Sequence, residues 1–244
     1  MSDPYELAPD PIVPALPGRV LCRPTPDEVI DAVLADMLVQ CLMAVRSFGV
    51  CHVALTACPS LDAVYRRLMY DPPLRAFPWS VTHVWLTTEG ARSPDEGASH
   101  FRRVTDWFLE HAEVPREQLH AVPHDVQNAG HAYTSLFQAA QADRHPLEVR
   151  MDYVLLSLNP LPSFPIRAES AGVLYAGFEG GVAATDALVN AGRFIAVLGT
   201  GDVARSVVRR LVSGDDGDLA IARLASIRPD RGVLRWYLDA AACG

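Results

Sequence analysis

Two short, almost wholly apolar runs limit what this chain can fold into. Met151–Leu158 and Arg193–Leu198 are too brief for ordinary helices and do not alternate apolar with polar residues. Such runs are strands covered on both faces, as in a parallel sheet with helices above and below. The rest of the chain fits that frame. Arg19–Arg23, Cys51–Thr56 and Val81–Thr87 read as further strands, and Trp236–Leu238 as a short last one. Between them lie helical patterns over Asp27–Phe48, Leu61–Met69, Phe101–His111, Ala129–Ala142 and Val203–Leu211. In the first of these, Val29, Val33, Met37 and Cys41 recur at helical spacing behind Thr25, a candidate cap. Strands alternating with helices predict an α/β, Rossmann-like three-layer fold with a mostly parallel sheet. The 244 residues suffice for one such domain, expected over 19–244. Residues 1–18 carry Pro4, Pro9, Pro11, Pro14 and Pro17 and are expected to form an extended tail.

Charge narrows the partners. Acidic residues outnumber basic ones 29 to 21, for a net charge of −8, which disfavours a general nucleic-acid surface. No apolar run approaches the roughly 20 residues of a membrane span, and the start of the chain shows no secretory pattern, so a cytoplasmic protein is expected. All 21 basic residues are arginine, which removes Schiff-base chemistry and any lysine base or phosphate ligand. The five cysteines, Cys22, Cys41, Cys51, Cys58 and Cys243, show neither a C-x-x-C pair nor a zinc pattern. They read as reduced, buried thiols. No metal or cofactor is expected.

Ligands of parallel α/β folds sit beyond the carboxyl ends of the strands, so four loops matter. Thr56-Ala57-Cys58-Pro59-Ser60 opens a helix, where Thr56 and Ser60 are candidate anion contacts, although the loop has no glycine. The loop from Thr88 to His100 is the richest in polar groups, with Glu89 and His100 as candidate acid–base residues and Arg92, Arg102 and Arg103 as candidate anion holders. Asn159 follows the third strand end, and Gly199-Thr200-Gly201-Asp202 makes a tight turn into a helix after the fourth. Of these, Thr56, Ser60, Arg92, Arg102, Asn159 and Gly199 form the candidate substrate-binding set. His111, His120, His124, His131 and His145 fall on helices or surface connections, and His52 and His83 at strand starts, opposite the expected crevice.

Cys51-His52-Val53-Ala54-Leu55-Thr56, Phe77-Pro78-Trp79-Ser80, Val84-Trp85-Leu86, Met151-Asp152-Tyr153-Val154-Leu155-Leu156 and Trp236-Tyr237-Leu238-Asp239 together resemble the framework of the 6-phosphogluconolactonase family, in the sugar-phosphate isomerase-like superfamily. The resemblance runs from about Arg19 to the end and implies a Rossmann-like sheet with a small appended substructure. Its functional motifs differ. Where the family has Gly-Gly before Ser or Thr, this chain has Ala57-Cys58-Pro59-Ser60; its Asp-Glu-Arg is Thr88-Glu89-Gly90, with Arg92 as a shifted substitute; its Ser-Asn is Ser99-His100. The segment bearing the family's water-activating histidine is shortened to Ser157–Pro165, without that histidine, and the lysine of the Gly-x-x-Lys-Ala turn is absent. The resemblance therefore implies a degenerate homologue that binds, regulates or scaffolds, with a sugar phosphate, a protein partner or a second copy as its expected company. The alternative is a hydrolase of 6-phosphogluconolactone or a related phosphosugar with a rebuilt site, using Glu89 or His100 as base. Other ligands, such as a nucleotide or acyl-CoA, follow from fold-level analogy alone.

Overall fold

A computed structural model describes residues 11–90, 99–112, 114–123, 128–158, 165–168, 170, 172–178, 180–215 and 217–244. The predicted strands pair as a six-stranded parallel sheet in the order β1-β9-β8-β5-β2-β3. These are β1 (Arg19–Arg23), β2 (Cys51–Leu55), β3 (Thr82–Leu86), β5 (Tyr153–Ser157), β8 (Phe194–Gly199) and β9 (Val233–Asp239). The two apolar runs become β5 and β8, adjacent in the middle and buried along their whole length. Side chains alternate between two cores: Ala54, Val154 and Leu156 face one helical layer, Leu55, Tyr153 and Leu155 the other.

Helix α1 (Pro26–Phe48) starts where the sequence places it. The Thr25 hydroxyl accepts from the Glu28 amide at 3.3 Å, Pro26 supplies the first turn, and Gly49 in a left-handed conformation (φ 78°) ends it. Val29, Val33, Met37 and Cys41 form its buried stripe. Helices α2 (Asp62–Tyr70), α4 (Ala129–Ala139) and α6 (Gly201–Ser213) lie close to their predicted spans. The expected helix over Phe101–His111 is instead a short α3 (His100–Val104) continued by one π turn over Thr105–Leu109. The expected strand over Trp236–Leu238 extends to all of β9, because Val233–Asp239 pairs with β8 on one side and β1 on the other.

The appended substructure is a three-stranded antiparallel sheet, β4 (Thr88–Gly90), β7 (Gly181–Ala184) and β6 (Tyr175–Phe178), in the order β4-β7-β6. It follows β3 with only Thr87 between. The Thr87 amide donates to Leu55 O at 2.9 Å and its carbonyl accepts from Ala184 N at 2.7 Å, so one buried residue serves both sheets. Short helices α5 (Asp186–Ala191), α7 (Leu219–Ala225) and α8 (Ala240–Cys243) complete the chain.

The cysteines correct an expectation. Cys41, Cys51 and Cys58 are free and buried, but Cys22 and Cys243 are joined in a disulfide across 221 residues. No spacing rule reveals that pair. It forms because β1 lies in parallel register against β9, Cys22 opposite Leu238, and the turn of α8 brings Cys243 back over it. In the tail, Pro17 O accepts the Trp236 indole N–H at 2.7 Å and Leu16 packs against the core.

The amino end of the sheet is closed by charge and aromatic stacking. The buried Asp152 carboxylate accepts from both terminal nitrogens of Arg144 (3.1 and 2.8 Å), from Arg193 Nε (2.9 Å) and from the His52 amide (2.8 Å). Both guanidiniums lie 4.4 Å from the centre of the Phe48 ring. Next to them His52, His83 and His120 stack with Trp85, and His83 Nδ1 lies 2.9 Å from His120 Nε2. Burial, then the neighbouring cationic groups, depresses the His52 ring to about 2 and the His120 ring to about 4. His111, His131 and His145 are exposed, and His124 lies outside the described residues.

Candidate functional site

The carboxyl ends of β2, β3, β5, β8 and β9 come together at one edge of the large sheet, with β4 beside them. There Thr56 is buried, and its hydroxyl donates to Leu155 O at 2.7 Å and meets Thr87 Oγ1 at 2.9 Å. It ties β2 to β5 and to the start of the small sheet. The Thr56 carbonyl accepts the Tyr65 hydroxyl. Ser60, at the turn into α2, meets Ser157 Oγ at 2.8 Å and Cys58 Sγ at 3.1 Å, so three small polar side chains line the ends of β2 and β5.

Glu89 is 1% exposed, and each of its carboxylate oxygens has two donors. Oε1 accepts from the amides of Gly90 and His100, both at 2.8 Å. Oε2 accepts from the Ser99 hydroxyl at 3.0 Å and the Phe101 amide at 2.8 Å. The carboxylate thus fills the positive end of α3, where Ser99 also caps the Arg102 amide at 3.2 Å. Its oxygens hold the loop together. A general base needs an oxygen aimed at a substrate proton.

His100 is half-buried, and its Nδ1 lies 2.9 Å from Thr88 O and 3.1 Å from Thr88 Oγ1. A carbonyl only accepts, so Nδ1 carries a proton, and it is the tautomer with the lone pair on Nε2 that this geometry selects. Arg102 pairs with Asp106 at 3.3 Å on the exposed side of α3, and Arg103 with Asp62 at 2.6 Å, joining α3 to α2. Arg92 and Asn159 lie outside the described residues.

Gly199 ends β8 where a Cβ would come within 2.7 Å of Leu158 Cδ1 and 3.0 Å of Ala204 Cβ, so close packing explains the glycine. The next turn holds a residue that sequence reasoning missed. Asp239, at the end of β9, receives the Gly201 amide on both oxygens (3.0 and 3.1 Å) and the Ala242 amide on Oδ1 (2.8 Å). Gly201 reaches it through a left-handed backbone (φ 72°). The available signal was a strand ending in Asp followed by Ala-Ala-Ala, a capping pattern at the same sheet edge. A separate open cleft of about 880 Å³ runs along the outer side of α3, lined by Phe101, Thr105, Leu109, Val114 and Leu119 among others.

The model of the glucosamine-6-phosphate isomerases/6-phosphogluconolactonase family matches residues 24–160, more than half of the chain. The chain belongs to this family. Its fold agrees: a 6-phosphogluconolactonase from Thermotoga maritima superposes with a TM-score of 0.72 at 16% identity, over 91% of this chain and 99% of that one. A monomeric glucosamine-6-phosphate deaminase superposes at 0.69 and 15% identity, over 93% and 100%. In sequence, the chain is 26% identical to the GDH/6PGL endoplasmic bifunctional protein of Oryctolagus cuniculus over 88% of its own length, but spans only 28% of that protein. It is 22% identical to the 6-phosphogluconolactonase of Haemophilus influenzae, over 78% of this chain and 85% of that one. The family model thus spans α1 to β5, the likeness of fold extends over 91% or more of the chain, and no helix among the described residues is long and apolar enough to cross a membrane.

Proposed function

We propose that this family member binds a phosphorylated sugar acid or lactone, or a protein partner of sugar-phosphate metabolism, without turning over 6-phosphogluconolactone. The observation that carries the reading is the Glu89 carboxylate, with all four hydrogen bonds donated from its own loop. Asp239 adds to it by covering the amide that opens α6. A phosphate approaching these amides has to compete with carboxylates already in place, and the field there is less positive than two bare helix starts would make it. A positioned acid–base group contributes about 10²–10⁴ in rate, and a site that has lost both its base and its phosphate holders gives up most of its acceleration. The deciding experiment is hydrolysis of freshly prepared 6-phosphogluconolactone, measured against the uncatalysed rate and an authentic lactonase. A rate at background is expected. A rate well above it overturns the reading.

The tautomer of His100 favours a second reading, a rebuilt hydrolase in which Nε2 takes a proton from water. In that case His100→Ala abolishes the excess rate and Glu89→Gln changes it only through folding.

A further inference from the structure

We infer that the Cys22–Cys243 bridge is a redox-sensitive clasp that fastens the edge strand β1 to the C-terminal turn α8 and, through Asp239, steadies the β8–α6 turn at the crevice. Both joined elements are weak alone. β1 is the outermost strand, five residues long with one partner. α8 is a single turn of four residues, far below the length at which an isolated helix holds. The bond unites them across nearly the whole chain, and Asp239, in register with Arg23 beside Cys22, starts α8 and holds the Gly201 amide. Both bridged cysteines are only half-buried, whereas Cys41, Cys51 and Cys58 are buried.

A dithiol reductant opens the clasp by exchange. Its thiolate attacks one sulfur and expels the other, which takes up a proton. Its second thiol then releases the first cysteine as a thiol, and the reductant leaves as its own disulfide. Oxidising surroundings keep the bond closed and a reducing cytosol favours the open form. The expected cytoplasmic setting is therefore the one in which the clasp is loosened.

The test uses the full chain prepared without reductant. After denaturation it should show three titratable thiols, rising to five once reduced. Reduction of the native protein should lower the melting midpoint by about 10 °C. It should also speed amide exchange at Leu21–Arg23 and Gly201 by at least about tenfold more than at β5, whose exchange rises only with the global loss of stability. The double variant Cys22→Ser/Cys243→Ser should match the reduced protein and ignore reductant. If the variant does not fold, reduced wild-type protein carries the comparison. Five thiols in protein exposed to an oxidant, or a melting midpoint and exchange rates that do not respond to reduction, overturn the inference.

Discussion

The two ends of the large sheet neutralise buried carboxylates in different ways. At the amino end Asp152 is held by two guanidiniums, so full charges meet and the cluster is closed around Phe48. At the carboxyl end Glu89 and Asp239 are held mainly by backbone amides, which carry partial charge and belong to loops and helix starts. The first arrangement pins the strands. The second fixes loops and helix starts at the strand ends and leaves two carboxylates there. Rigid support and a ligand-facing surface are thus built from the same side-chain chemistry with different partners.

The largest expected effect comes from breaking the amino-end cluster. Asp152→Ala strips the buried Arg144 of its carboxylate and leaves Arg193 with Glu148 alone, and should cost about 3–5 kcal/mol in denaturant unfolding. A loss below 1 kcal/mol would mean that the cluster is not what holds that end. Acid probes the same end next. The rings of His52 and His120 are held well below their ordinary value of 6.5, so the folded chain refuses protons that the unfolded chain accepts. Stability should be complete above about pH 6.5 and fall as pH drops toward 4, by about 1.4 kcal/mol per pH unit for a ring that stays neutral throughout. His120→Gln should flatten this slope, read from melting midpoints across the range.

At the carboxyl end the effects shrink. Glu89→Gln turns an NH₂ toward backbone donors and should cost about 1–3 kcal/mol, with ligand binding unchanged once folding is allowed for. A collapse of binding or activity at unchanged stability would instead place Glu89 in contact with ligand. Ser60→Ala removes the hydrogen bond to Ser157 and should cost about 0.5–1.5 kcal/mol, the smallest change of the series.

The framework was legible because its signals are local. The apolar runs of β5 and β8, the cap at Thr25 and the stripe on α1 each follow from neighbouring residues. The site was less so. That Glu89 faces inward to the α3 amides, or that Asp239 meets Gly201 across 38 residues, depends on strand order and loop closure, which periodicity does not encode. The strands of the small antiparallel sheet, which the family resemblance implied only as an appended substructure, escaped for a related reason. Its strands are three or four residues long and include Gly90, Gly177 and Gly181, which blur any alternation. The disulfide escaped because its partners sit near opposite ends of the chain.

The single residue between the two sheets has a mechanical consequence. Thr87 is bonded to β2 through its amide and to β7 through its carbonyl, so swinging the small sheet would shear both attachments together. This junction has no slack for a clamshell motion. A ligand bound at that sheet edge would meet, at Thr87, a wall already in position.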